Sequence, residues 1–308
     1  MNEYAYEHEY DVVVAGAGAA GLNAALVLGR CRRRVAVVDA GQPRNAPAGQ
    51  LHGFLSRDGM PPAALLAVGR EEVARYGVEL IQGRVDHAEA AGRGFAVRLA
   101  GGAVLGARRL LVATGLRDGL PPIPGVGERW GQDVLHCPYC HAYEVRDRPL
   151  GVLGTHPGAV HQALLLRQWS DDVVLFRHTL PLAGRDGARL AARGVRIAEG
   201  AVKRLVVDGA RLRGVELADG RMVPREAVFV RPEFTPQDGP LTALGCARDA
   251  DGWVITDGAG RTSVAGVWVA GNVADPRAQV VTAAGMGSAA AIDLHQDLVG
   301  EELALLAR

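Results

Sequence analysis

The residues best equipped for chemistry stand together in the string His136-Cys137-Pro138-Tyr139-Cys140-His141. Two cysteines at this spacing can close into a small disulfide, and the open form is a pair of nucleophiles. Pro138 suits the first position of a helix, where its missing N–H costs nothing. A helix starting there lowers the pKa of a nearby thiol and favours the thiolate. The flanking histidines titrate near neutral pH and can carry protons. His141, next to Cys140, is expected to be the base that takes thiol protons. His136 is either a second proton carrier or a structural histidine. Together these residues read as a redox dithiol.

Rival readings of the string meet obstacles elsewhere in the chain. Cys-x-x-Cys-His is a c-type haem attachment signature, which requires export. The opening MNEYAYEHEYDVVVAGAG is acidic where a signal peptide is basic, and no apolar stretch precedes the glycines. A zinc site needs four ligands, and Cys31 and Cys246 are single and distant, so no metal is expected. Cys-Pro-Tyr-Cys is also the glutaredoxin string, but it lies here mid-chain behind a dinucleotide motif. A purely structural disulfide does not suit a chain that reads as cytoplasmic. Cys31 and Cys246 are assigned to small-apolar packing.

The elements that must carry the dithiol are legible in order. A length of 308 residues allows about two domains. The 34 basic residues balance the 34 acidic ones, so nothing points to nucleic acid or a membrane surface. No apolar run approaches the ~20 residues of a membrane span. Residues 1–10 read as a frayed arm. Asp11–Ala15 reads as a buried strand running into Gly16-Ala17-Gly18-Ala19-Ala20-Gly21, a helix over 22–28, and a strand Val35–Val38 ending at Asp39. This is the dinucleotide fingerprint in its proper context. Gly16 permits the tight turn, Gly18 lets a pyrophosphate approach the backbone, and Gly21 lets helix and strand pack closely. Asp39, 18 residues past Gly21, is placed to bind a ribose.

Residues 41–62 lack a clear period and read as a ligand-covering loop. A helix is expected from Pro62 to about Tyr76, with strands at Glu79–Val85, Phe95–Leu99 and Ala103–Ala113. The last ends in Ala113-Thr114-Gly115, where backbone can approach a cofactor. Leu120–Gly125 and Pro232–Pro236 read as linkers. Between them the pattern repeats: a strand and turn at Pro149–Gly154, a helix Pro157–Trp169, a strand Asp172–Phe176, then segments 194–202 and 228–230 echoing 77–85 and 110–112. Gly154 matches Gly16, but His156 and Ala159 replace Gly18 and Gly21. His156 fills the place of a pyrophosphate, while Arg177, opposite Asp39, could meet the 2′-phosphate of NADP. The second copy is read as a vestigial nicotinamide site. Strands are expected again at Trp253–Thr256 and Val267–Ala270. After Gly271-Asn272 comes a small-residue helix through Ala291, whose first backbone N–H groups suit an electron-rich ligand edge.

Over essentially its whole length the chain resembles the low-molecular-weight thioredoxin reductase family of flavoproteins. The matching marks are Gly16-x-Gly18-x-x-Gly21, Ala113-Thr114-Gly115, Cys137-x-x-Cys140, and Val269-Ala270-Gly271-Asn272-Val273 leading to Gln279. The resemblance implies an α/β fold of two Rossmann-like domains, the second (119–236) inserted between the halves of the first (1–118 and 237–308). It implies a homodimer and FAD bound by Gly16, Gly18, Ala19, Ala20, Gly21, Asp39, Arg44, Asn45, His52, Val85, Thr114, Gly115, Gly271, Asn272, Gln279 and Val280.

Three departures matter. Members that reduce thioredoxin carry an Asp after the second cysteine, an intact second glycine motif, and a Gly-Asp pair near the C-terminus. This chain has His141, His156 and Gly271-Asn272 there. In its Cys-x-x-Cys-His form and its eroded second glycine motif it resembles the dithiol-oxidase branch, typified by the gliotoxin and holomycin enzymes, which close disulfides in small natural products and pass electrons to oxygen. That resemblance implies a small-molecule dithiol and oxygen as partners, with NADPH doubtful. The alternatives are an NADPH-dependent reductase of thioredoxin or another disulfide protein, and a redox-sensing flavoprotein without turnover.

Overall fold

A computed structural model of the chain describes residues 9–307. These form two units. The first takes the segments up to Ala46, Pro62–Arg117 and from Thr235 onward; the second takes Pro47–Pro61 and Asp118–Phe234. The long segment Asp118–Phe234 is entered and left through two strands that pair with each other, β7 (Leu116–Gly119) and β16 (Glu233–Pro236).

The first unit begins with β1 (Tyr10–Ala15), α1 (Ala19–Arg30), β2 (Val35–Asp39), α2 (Pro62–Ala74) and β3 (Glu79–Gln82). A meander follows, β4 (Val85–Ala91), β5 (Gly94–Leu99) and β6 (Val104–Val112). After the inserted unit come α6 (Gly239–Ala243), β17 (Val267–Val269) and α7 (Val280–Leu306). The strand order is β3-β2-β1-β6-β5-β4, with β17 beside the C-terminal half of β6. Strands β3, β2, β1, β6 and β17 run parallel, and the meander is antiparallel. Side chains alternate between the faces, as period 2 demands. Val12, Val14, Val35 and Val37 pack in one core with Leu28 of α1 and Leu294 of α7. Val13, Ala15, Ala36 and Val38 pack in the other with Phe95, Val97 and Leu241. Both faces are covered, which is why these strands read as unbroken apolar runs.

The second unit contains β8 (Val134–Leu135), α3 (Pro138–His141), β9 (Leu150–Leu153), α4 (Ala159–Leu166), β10 (Val173–Phe176), α5 (Gly184–Ala192) and β11 (Arg196–Ala198). Then come β12 (Val202–Asp208), β13 (Arg211–Leu217), β14 (Met222–Pro224) and β15 (Ala227–Phe229). The parallel sheet has the order β11-β10-β9-β15-β8; its first four strands match β3-β2-β1-β6 of the first unit in place and chain order, while the edge strand β8 precedes β9 and its counterpart β17 comes after β6. The repeat seen in the sequence is therefore a repeat of topology.

Several elements differ from the sequence expectation. Residues 1–8 of the expected arm lie outside the described residues, and Tyr10 starts a buried strand. The single strand expected over Glu79–Val85 is two, because β3 pairs with β2 while β4 turns away to pair with β5. Trp253–Thr256 forms no strand; Val254 makes one isolated bridge to Arg248. The helix expected over Pro157–Trp169 is confined to Ala159–Leu166. The last helix continues past Ala291 to Leu306, since Ala290, Leu294 and Leu298 repeat every fourth residue on its buried face.

α7 lies tightly on α1. A Cβ at Gly287 would come 2.0 Å from the Ala20 carbonyl oxygen, a backbone atom that cannot step aside. Gly287→Ala should therefore cost about 1–3 kcal/mol, seen as a lower Tm and weaker retention of any ligand held by the first turn of α1. An unchanged Tm would show that the two helices separate freely.

Candidate active site

The first site is built on the turn between β1 and α1. Gly16 sits at φ 106°, and a Cβ there would lie 2.4 Å from the Ala113 carbonyl oxygen. A Cβ at Gly21 would be 1.8 Å from the Gly16 oxygen. Gly18, between them, caps α1 without a side-chain hydrogen bond, and nothing lies within 4 Å of where its Cβ would be. The two outer glycines are thus occupied by packing, and the middle one faces open space. A helix N-terminus with that opening suits a pyrophosphate. Ala19 and Ala20 form the first turn of α1, and Gly271 packs against the Ala20 methyl. Asn272 donates to the carbonyls of Asp275 and Ala278 (both 2.9 Å) and accepts from Arg44 (3.3 Å), which shapes the loop leading to Gln279, the cap of α7. Thr114 and Gln237 clasp each other through two hydrogen bonds to backbone, 2.5 and 2.8 Å, and Gly115 accepts from the Gln237 N–H. Asp39 ends β2; its carboxylate accepts from Gly41 N–H and from Arg70 (2.7 Å). Val85 opens β4 and is buried, Val280 opens α7, and Asn45 follows Arg44 in a turn. These residues fit the adenine-dinucleotide part of FAD.

The second site is the dithiol. Cys137 and Cys140 are joined as a disulfide with their Cα atoms 5.2 Å apart. Cys137 caps α3 in extended conformation, Pro138 takes the first helical position, and the N–H groups of Cys140 and His141 both donate to the Cys137 carbonyl. α3 is one turn long, so its dipole offers little to the two sulfurs. What holds the turn is packing from behind. Gln162 of α4, itself buried, donates to the His136 carbonyl at 2.6 Å. The His136 ring lies with Nδ1 3.4 Å from the Val230 carbonyl and its edge on Phe234.

His141 is half-buried, and that burial pulls its pKa below the ordinary imidazole value, with His52 adding to the effect and Glu144 opposing it. The ring is therefore neutral at pH 7 and able to accept a proton. His52, expected among the cofactor contacts, lies in the Pro47–Pro61 loop of this same unit. Its Nδ1 is 3.4 Å from Asp58, and its Nε2 is 3.3 Å from Glu144. Sequence reasoning missed Glu144, Asp58 and Gln162. Glu144 stands three residues after His141, and that spacing was the one available signal. Tyr139 and Tyr143 are exposed beside the disulfide, and Leu55 in the loop is exposed as well.

The glycine turn open to a pyrophosphate in one unit and the closed Cys-x-x-Cys turn in the other are the two features on which the comparison with known proteins bears. The chain belongs to the pyridine nucleotide-disulphide oxidoreductase family, whose description matches residues 10–287. It has the α/β fold of the thioredoxin reductase type and is an oxidoreductase acting on sulfur, in a family that binds FAD. Among solved structures, HlmI is 63% identical over 100% of this chain and 98% of that one, with a TM-score of 0.96. Thioredoxin reductase tcpT of Claviceps purpurea is 30% identical over 85% of this chain and 86% of that protein. A probable thioredoxin reductase of Arthroderma benhamiae is 33% identical over 55% of this chain, and the match spans only 44% of that protein's length. Among the described residues, no helix is long and apolar enough to cross a membrane.

Proposed function

We propose that the chain is an FAD-dependent dithiol oxidase, which closes a disulfide in a small natural-product dithiol and uses oxygen as the acceptor. The balance is one dithiol plus O2 giving one cyclic disulfide plus H2O2. The carrying observation is the Cys137–Cys140 disulfide with a neutral, half-buried His141 beside it, where thioredoxin-reducing members have an acid. The likeness to enzymes of the gliotoxin and holomycin type supports the same reading.

His141 takes the proton of the first substrate thiol on its unprotonated ring nitrogen. The resulting thiolate attacks Cys137 Sγ; the S–S bond breaks, and Cys140 leaves as thiolate. The second substrate thiol then attacks the substrate sulfur of the mixed disulfide, its proton passing to Cys137 as that sulfur leaves as the thiol, and the cyclic product is released. Gln162 and His136 hold the turn so that Cys137 stays in register through both displacements. The first unit would hold FAD at Gly16–Gly21, Asp39, Thr114, Gly115 and the start of α7. Bound FAD supplies a two-electron acceptor for the reduced pair and a place where oxygen can collect those electrons. The enzyme is proposed to work as a cytoplasmic homodimer.

Oxygen uptake measured with a small dithiol should equal peroxide formed and disulfide formed, one to one to one. Dithiol oxidation without oxygen uptake would remove oxygen from the proposal. NADPH-dependent reduction of a disulfide protein is the competing reading, favoured by the thioredoxin reductase names of the relatives.

A further inference from the structure

The second nucleotide turn can be laid over the first by strand register. In the first unit Ala15 pairs with Val112, and the next residues are Gly16 and Ala113. In the second unit Val152 pairs with Phe229, so two residues further along come Gly154 and Arg231. Arg231 thus takes the place of Ala113, His156 that of Gly18, Gly158 that of Ala20, and Arg177 that of Asp39.

The two turns differ at each of these places. Around Gly18 the space is empty; the second turn carries an imidazole there. His156 Nδ1 accepts a hydrogen bond from the Gly158 N–H at 2.9 Å, so a donor at the start of α4 is already used. Burial and the nearby Arg231 lower the pKa of His156, which keeps Nδ1 free to accept at neutral pH. Arg231 then lies across the other side of the turn. A Cβ at Gly158 would meet its Cδ at 2.7 Å and its guanidinium at 3.1 Å. Arg177, the one residue suited to a 2′-phosphate, is paired with Glu199 at 3.0 Å and donates to the Leu180 carbonyl.

We infer that His156 and Arg231 close the second turn against pyridine nucleotides, the imidazole taking the hydrogen bond and the arginine the space that a pyrophosphate would use. They are the residues that set where the enzyme gets its electrons, with the dithiol as the one donor left. The pyridine nucleotide in the family's name therefore does not fit this chain. The inference deepens the oxidase reading, on which its meaning for turnover rests, while its binding test stands apart from turnover.

The test is calorimetric titration of the FAD-loaded protein with NADP+, which binds without reducing anything. The wild type should show no saturable binding up to about 1 mM, the upper end of ordinary substrate affinities. The double variant His156→Gly/Arg231→Ala, which copies the first turn, should gain about 10- to 100-fold in affinity, the worth of one charge-assisted hydrogen bond. FAD content and dithiol oxidation should be unchanged in it. If the double variant fails to load FAD, His156→Gly alone decides, by the gain from freeing the Gly158 N–H. Micromolar binding by the wild type, or no gain in a variant that still oxidises dithiol, would overturn the inference. Loss of dithiol oxidation in the wild type would sink the oxidase reading and leave this binding result standing.

Discussion

Cys137→Ser and Cys140→Ser should each bring dithiol oxidation to background while the protein keeps its fold and its yellow colour. The oxidant that meets substrate is the S–S bond itself, so a chain with one sulfur has nothing to be attacked. Neither side chain supports a core: both cysteines are half-buried on a single helical turn, and that turn is held from behind by Gln162. The two variants should differ in one respect. In Cys140→Ser the remaining thiol at Cys137 can attack the product disulfide in the reverse direction. That leaves a mixed disulfide which the freed substrate thiol reopens unless it is alkylated, so with an alkylating agent present the adduct is trapped, visible as one added product mass plus the alkyl group. Cys137→Ser should show no adduct if Cys137 is the sulfur that faces substrate. An adduct at Cys140 would reverse the roles assigned to the pair.

His141→Ala should lower kcat/KM by about 10²- to 10⁴-fold, the usual worth of a positioned acid–base group. The pH profile separates this from a packing defect. Burial depresses the pKa of His141, so the base form persists below the ordinary imidazole range. Activity should hold as pH falls past about 6.5 and drop only as His141 becomes protonated at its lowered pKa. In His141→Ala that acid limb should vanish, and the rate should climb with pH as substrate thiols ionise unaided. An intact acid limb in the variant would move the base elsewhere, with the paired His52 and Glu144 as the next candidates.

The parts legible in the sequence are those fixed by local pattern. The strand–glycine–helix–strand run marks the first turn because Gly16 and Gly21 have no room for a side chain. Cys-x-x-Cys marks the redox turn because two sulfurs must meet across one helical turn. The second sheet was visible as an echo of the first, since both faces of both sheets are buried and leave long apolar strings. What stayed hidden depends on contacts between distant segments. Pro47–Pro61 has no period that says it packs with the unit holding the dithiol. There His52 meets Glu144 across more than 90 residues of chain. Arg70 reaches Asp39, and Gln162 reaches His136, from helices whose polar residues look like ordinary surface. α5 was missed because its first turn, Gly184-Arg185-Asp186-Gly187, reads as a loop; Leu190 alone is buried in it.

The most direct test of the central claim is to follow the flavin absorbance of the FAD-loaded protein under argon. NADPH is added to one cuvette and a small dithiol to the other. The oxidase account predicts no bleaching by NADPH, bleaching by the dithiol, and recovery when air is admitted. Rapid bleaching by NADPH, with none by the dithiol, would contradict it and make the chain a reductase.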